Sequence, residues 1–417
     1  MMPQAGLMTP LHRPDWVTSR LKFLFQRRNR ALREDDGVVT AFRDGVVTLR
    51  SNRREDGFTF SNKEIGYQGI EPGDLVIHAM DGFAGAIGVS DSRGKCSPVY
   101  TIVVPRLKQA VFPEFWAYYL RNLAVTGFIE SLAKGIRERS TDFRWKDAGN
   151  LLVNYPEYQT QKSIADFLDR ETTRIDQLIE KKRRFQQGVA DRIKALVDQA
   201  ISDPNTPRIR FEHIVRRVHR PAVLSEHDEL VRLGLYNRGR GIFKKPAADE
   251  EGMGDSDFFF VKDGDLILSG QFAWEGAVAL ATTEEEGCVV SHRYPVYRGK
   301  SGVNTAYLLG LLRSSYGDFL LNEASRGSAG RNRPLNVRRL GKEKIPVPGL
   351  MLQKTVEQAV DFERRLKGKT EQSIARLGEF RAALITAAVT GQIDVATWDR
   401  QGQADRRLER IEEAMRA

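Results

Sequence analysis

The chain has 417 residues, of which 41% are hydrophobic, 9% aromatic and 29% charged, a globular balance with enough length for two or three ordinary cores. Its 65 lysines and arginines against 55 aspartates and glutamates give a formal charge of +10, which favours a polyanionic partner, nucleic acid first. No apolar run approaches the roughly 18 residues that span a bilayer, and the start, MMPQAGLMTPLHRPDW, lacks a basic region followed by an apolar stretch, so the expectation is a cytoplasmic protein with no membrane partner.

Residues 1–157 mix strand and helix patterns. A Gly-Asp turn at Gly73 and Asp74 leads into LVIHA, then AGAIGV and VYTIVV, short β-rich runs that read as hairpins or a meander. A helix follows, PEFWAYYLRNL, with Pro113 near its start, where a missing N–H is harmless. Next comes KGIRERSTDFRWK (134–146), rich in Arg and Lys. Residues 158–203 then read as one long charged helix. In it Ile164, Leu168, Ile175, Leu178, Phe185, Val189, Leu196 and Ala200 recur mostly three, four or seven apart, a stripe for packing against another helix.

Residues 204–350 return to the first grammar: Gly264-Asp265, the runs LILSG, EGAVAL and YPVYRG, a helix starting near Asn304, and a second Gly/Arg-rich stretch, RGSAGRNRPLNVRRLGKEK (326–344). Residues 351–395 give a second long helix with Val356, Val360, Leu366, Ile374, Leu377, Leu384 and Ala388 as its stripe. Residues 396–417 form a charged tail of helical composition.

The likeness of the halves is a duplication. At a shift of 192, Leu120 falls on Leu312, Arg121 on Arg313, Gly135 on Gly327, Arg139 on Arg331, Pro156 on Pro348 and Gln161-Lys162 on Gln353-Lys354. EPGDLVIHAMDGFAGAIGV (71–89) matches KDGDLILSGQFAWEGAVAL (262–280) at a shift of 191, and RLKFLFQR (20–27) echoes RFEHIVRR (210–217). The helix ends KALVDQAI and AALITAAV match at 188, so the first long helix is four residues longer, about one turn. The expected class is α+β: two mixed globular domains separated by two long antiparallel helices, a coiled-coil spacer with pseudo-twofold symmetry.

Catalytic patterns are missing. There is no GxxxxGK[ST], no Asn/Asp-Pro-Pro-aromatic tetrapeptide with a glycine-rich cofactor loop, and no HExxH among the six histidines. Cys96 and Cys288, the only cysteines, form no CxxC pair, so no structural zinc or disulfide framework is expected. DNA binding has positive support in the two Gly/Arg-rich stretches at matching places, since glycine lets backbone approach a ligand and arginine forks onto phosphates and guanine. The candidate contacts are Lys134, Arg137, Arg139 and Arg144 in the first copy, and Arg326, Arg331, Asn332 and Arg333 in the second, with Arg93, Lys95, Arg238 and Arg240 as further candidates. His78, Asp81, Gln271 and Trp274 are weaker ones; for Trp274 and its counterpart Phe83, core packing is the competing role.

QKSIADFLDRETTRIDQLIEKK, FRAALITAAVTGQIDV (380–395), DGFAGAIGVSDSRGKCSPVYT (81–101) and GLYNRGRG (234–241) resemble segments of the specificity subunit of Type I restriction-modification systems. The resemblance implies a non-catalytic subunit whose two target recognition domains each read half of a bipartite site in double-stranded DNA. It implies further that the helices set the gap and dock two methyltransferase subunits, with restriction/translocase subunits completing the complex. The residues expected to carry packing and docking are Ile164, Leu168, Ile175, Leu178, Phe185, Leu196, Ile374, Leu377 and Leu384. No cofactor is expected in this chain, and S-adenosylmethionine, ATP and Mg²⁺ belong to the partners. A helical scaffold without DNA specificity is the alternative.

Overall fold

The computed structural model describes residues 13–53, 65–132, 143–327 and 333–416. The chain divides into two compact units, Met1–Glu180 with Gln372–Ala417, and Lys181–Glu371.

The first unit is built on a four-stranded antiparallel sheet of β1 (Phe25–Arg28), β2 (Leu75–His78), β3 (Ile87–Val89) and β4 (Tyr100–Pro105), ordered β1-β4-β2-β3. Strands β2 and β3 are a hairpin with Leu75 opposite Val89, while β4 returns to the other edge of β2 with Leu75 opposite Val103. The run is therefore not a meander: β4 lies inside the sheet, between β2 and β1. Helix α1 (Pro113–Val125) carries Pro113 at its first turn and buries Phe115, Trp116 and Leu120 with Phe25, Ile77 and Ile87. Phe25 and Phe115 each meet the Trp116 ring edge-to-face, at centroid distances of 5.7 and 5.5 Å, geometry favoured by the ring quadrupoles.

Helix α2 runs unbroken over Tyr158–Ser202, 45 residues. The second unit repeats the sheet with β5 (Val215–Val218), β6 (Leu266–Leu268), β7 (Val278–Leu280) and β8 (Val296–Gly299), ordered β5-β8-β6-β7. Helix α3 (Thr305–Leu312) is capped by Asn304, whose side-chain oxygen accepts from Ala306 N and Tyr307 N at 2.8 and 3.2 Å. Helix α4 spans Leu350–Val389, 40 residues, followed by α5 (Val395–Arg400) and α6 (Gln403–Arg416). A strand, one helical turn and a strand open each copy: Val17–Arg20, Leu21–Leu24 and β1, then Arg208–Arg210, Phe211–Ile214 and β5. This is the physical form of the RLKFLFQR/RFEHIVRR echo.

The sequence sets the long helices apart as segments of their own, whereas each gives one half to each unit. In the first unit Ile164, Leu168 and Ile175 of α2 share a core with Leu377, Leu384 and Ala388 of α4. In the second, Ile193, Leu196 and Val197 share one with Val356 and Val360. The middle of the stripe departs from expectation: Leu178 and Ile374 are only half-buried, and Phe185 is 56% exposed, in an edge-to-face arrangement with the exposed Phe362 ring at 6.5 Å. Thr370, Ser373 and Lys182, polar residues outside the apolar pattern, are buried there.

The glutamine of the repeated Gln-Lys pair has a structural explanation. Gln161 is fully buried, and its amide donates to Ala110 O and Pro156 O at 3.0 and 2.9 Å while its oxygen accepts from Phe112 N and Trp116 Nε1 at 3.0 and 3.1 Å. Gln353 repeats this with Gly302 O, Pro348 O and Asn304 N at 3.1, 2.8 and 2.7 Å. Each glutamine ties the start of a long helix to the loop that precedes its copy's main helix.

Candidate nucleic-acid interface

Each copy ends its β2–β3 or β6–β7 connection in a single 3-10 turn, Gly82–Ala84 or Ala273–Glu275, closed by a left-handed glycine, Gly85 (φ 90°) or Gly276 (φ 70°). A side chain there would be strained, and at Gly85 a Cβ would also fall 2.7 Å from Arg43 O. That contact brings in a second segment. In the first copy the strands Val39–Ala41 and Val47–Leu49 form a hairpin whose tip, 42–46, rests on the turn, with Arg43 Nη2 donating to Asp81 at 2.8 Å. In the second copy Leu230–Leu235 and Ile242–Ala248 pair, and their tip, 236–241, rests on the other turn: Arg238 N donates to Glu275 O at 2.8 Å, Gly239 N to Gly276 O at 2.7 Å, and the Asn237 amide to the Glu275 carboxylate. Arg238 is the one described non-glycine residue with positive φ, 59°, and these bonds hold it there.

A third segment arrives beside each turn. Phe143 N donates to Ala79 O at 3.1 Å, and Leu335 N donates to Gly270 O at 2.8 Å, the same bond at nearly the same shift. These bonds fix the later part of the first Gly/Arg-rich stretch and the middle of the second against the ends of β2 and β6. Lys134, Arg137, Arg139, Arg331 and Asn332 lie outside the described residues. Arg333 is exposed, and its guanidinium sits 5.0 Å from the centre of the half-buried Trp274 ring, a cation–π contact. Trp274 Nε1 donates to Gln271 O at 3.1 Å and Trp274 O accepts from Asn322 at 3.1 Å. Trp274, Arg333 and the hairpin tip that carries Arg238 and Arg240, far apart in sequence, are thus brought to one turn of the second unit.

Other candidates are engaged differently. The Arg93 guanidinium lies 3.0 Å from Asp36 and within 4 Å of Asp35 and Glu71, so acidic neighbours balance its charge. Lys95 lies in the strand Gly94–Cys96 and Arg144 precedes the turn Trp145–Ala148. Arg326 pairs with Glu323, and Arg240 leans over Tyr236 with its backbone oxygen accepting from Lys367. His78 is held below its usual pKa by burial first, with Asp81 opposing and Arg43 adding to the shift; its Nδ1 accepts from Asp81 N at 2.9 Å. That bond ties the imidazole to the start of the 3-10 turn. Phe83 packs partly against the core.

The sequence reading missed three arginine–aspartate pairs, of which the duplication marks only the aspartates, Asp74 and Asp265. Arg30 grips the buried Asp74 at 2.5 and 2.9 Å, and Arg220 with Arg298 grips the buried Asp265 at 2.6 and 2.5 Å, so these charges hold turns in place. Burial alone would raise the Asp265 carboxyl, but hydrogen bonds from Arg220, Arg298 and Lys262 N outweigh it and hold its pKa below the ordinary value. Arg43 sits where Arg238 sits in the other copy. Among the described residues no group of three or more His, Cys, Asp or Glu is placed to hold a metal ion, and no helix is long and apolar enough to cross a membrane.

No protein-family model and no curated protein matches the sequence. Solved structures do match the fold. A chain from a structure on the complex assembly and conformational transition of the type I R-M system aligns with TM-score 0.54 and 15% identity, over 92% of this chain and 100% of that one. The Type-I restriction-modification system S subunit from M. genitalium aligns with TM-score 0.50 and 15% identity, over 93% and 99%. The HsdS subunit from Thermoanaerobacter tengcongensis aligns with TM-score 0.47 and 15% identity, over 91% and 98%. The chain has the fold of Type I specificity subunits, with two mixed domains and two long helices.

Proposed function

We propose that this chain is the DNA-reading subunit of a Type I restriction-modification complex, recognising a bipartite duplex site with one half per globular domain. The observation that carries the reading is the twofold recurrence of one surface, a hairpin tip on a 3-10 turn beside an anchored Gly/Arg-rich stretch, in a chain with this fold. The two surfaces share their scaffold and differ in their exposed side chains, as two unlike half-sites require. In the first copy Arg43, Arg144 and the stretch carrying Lys134, Arg137 and Arg139 would meet DNA; in the second, Arg238, Arg240, Trp274, Arg333 and the stretch carrying Arg331 and Asn332.

The chain is read as non-catalytic. Methylation requires a base flipped into a pocket, and that chemistry, with S-adenosylmethionine, ATP and Mg²⁺, is assigned to two methyltransferase subunits and to restriction/translocase subunits docked on this one. Selection from randomised duplex DNA with the methyltransferase partner present tests the reading. It predicts two short conserved blocks separated by a fixed gap, and enrichment of no bipartite sequence would sink it. Binding should weaken steeply with salt, and each phosphate contact removed, Arg240→Ala for example, should reduce the slope of log K against log salt by about 0.9.

A further inference from the structure

Arg121 and Arg313 occupy the same place in the two copies, at the end of the main helix, where the sequence repeat marks them without giving them a task. In the fold both guanidiniums reach the tip of their own copy's hairpin. A Cβ on Gly45 (φ 91°) would fall 2.4 Å from the Arg121 guanidinium, and one on Gly239 (φ 61°) would fall 2.8 Å from Arg313 Nε. The two hairpins have unlike lengths and sequences, yet each presents a left-handed glycine to the same arginine. A contact present in both copies although the hairpin tips differ in length and sequence marks a support.

The supports are wired differently. Arg313 forms a two-pronged pair with Glu363 of α4, at 2.6 and 2.9 Å, and Lys367, one turn further along α4, donates to Arg240 O. The second hairpin is thereby fastened to a rigid helix at two points. Among the described residues Arg121 forms no close ion pair and its buried Nε has no hydrogen-bond partner; Asp44 of the hairpin tip and Asp176 are near enough to attract it, but Asp44 is held by Arg53 and Asp176 by the nearby Arg381.

We propose that Arg121 and Arg313 are positioning residues of the two recognition surfaces. Each sets the height of its hairpin against the neighbouring 3-10 turn and so decides which base edges the tip reaches, without contacting DNA itself. In the second copy the setting is referred through Glu363 to α4. The inference rests on the DNA-reading function proposed above.

The test uses the full-length chain carrying Arg313→Gln, Glu363→Gln or Arg121→Gln. Hydrogen exchange reads the support without DNA: in R313Q the Arg238 and Gly239 amides, which donate to Glu275 O and Gly276 O, should exchange on the order of tenfold faster, with the Phe42 and Gly45 amides unchanged. R121Q should do the converse, and E363Q should follow R313Q with a smaller change. Duplex selection then reads the consequence: R313Q relaxes discrimination in one half-site by about tenfold and leaves the other half-site and the gap intact, whereas R121Q relaxes the opposite half. Arg313→Lys, which keeps the charge for Glu363 but loses the planar fork, should restore part of the selectivity. Unchanged exchange at 238 and 239 in R313Q and E363Q overturns the proposal, as does equal relaxation of both half-sites by one variant. If the unmodified chain selects no bipartite site while the exchange changes appear as stated, the support stands and the DNA-reading function falls.

Discussion

Gln161 holds four polar groups at the start of α2, and removing its amide takes the partner from the buried Pro156 carbonyl and Trp116 indole N–H and from the part-buried Ala110 carbonyl and Phe112 N–H. Each orphaned group costs about 1–3 kcal/mol, softened by local rearrangement, so Gln161→Leu should destabilise the chain by about 3 kcal/mol in urea unfolding; a change under about 1 would show that the loop holds without it. Asp265 gives a second residue-scale prediction, because its carboxylate is fully buried between two arginines. Asp265→Asn should cost about 3 kcal/mol, less than a fully buried pair because both arginines are a quarter exposed. Its depressed pKa fixes the sign with pH: the stabilisation is whole above the ordinary carboxylate value and is lost as pH falls through the lower folded value. Unfolding midpoints of wild type and D265N should therefore converge in acid and diverge towards neutrality. Both residues stand at repeated positions in the sequence, so their importance is legible there. Their tasks are not, since a buried Gln or Asp looks like a surface one until the loop it fills is known.

At the scale of elements, the helical stripe is legible where it enters a core and misleading between the cores. Ile164, Leu168, Ile175, Leu196, Leu377 and Leu384 are buried as their spacing requires, whereas Phe185 keeps the spacing and is mostly exposed. Periodicity reports which face a residue is on, and not whether anything covers that face. Phe185→Ala should accordingly change stability by no more than about 0.5 kcal/mol, measured by the same unfolding; a loss above 2 would mean that the ring is packed in a way its exposure denies. The helical bounds of α2 and α4, 45 and 40 residues, differ by about one turn, close to the four residues found by aligning their sequences. If these helices set the gap between half-sites, inserting or deleting one turn within 181–188 should alter the selected gap and leave both half-sites unchanged. A changed half-site with an unchanged gap would remove the spacer role. Strand identity was readable from the Gly-Asp turns, but the place of β4 within the sheet was not, because pairing order depends on long-range contacts that local alternation does not encode.

For the whole molecule, the duplication connects sequence to function. It gives each half the same sheet, the same opening strand–turn–strand, the same glutamine lock and the same hairpin-on-turn surface, and it leaves the exposed side chains of those surfaces free to differ. The net positive charge is an incomplete guide to the interface, since Arg30, Arg93, Arg220 and Arg298 are engaged by carboxylates and only a subset, with Arg238, Arg240 and Arg333 among them, stands at the hairpin tip and turn of the second unit. The most direct test of the central claim is the methylated motif in DNA from cells that carry this chain with its methyltransferase partner, compared with cells lacking only this chain. The expected result is a bipartite motif of two unlike half-sites at a fixed gap, absent when the chain is absent. A contiguous motif, or a bipartite one that persists without the chain, would contradict it.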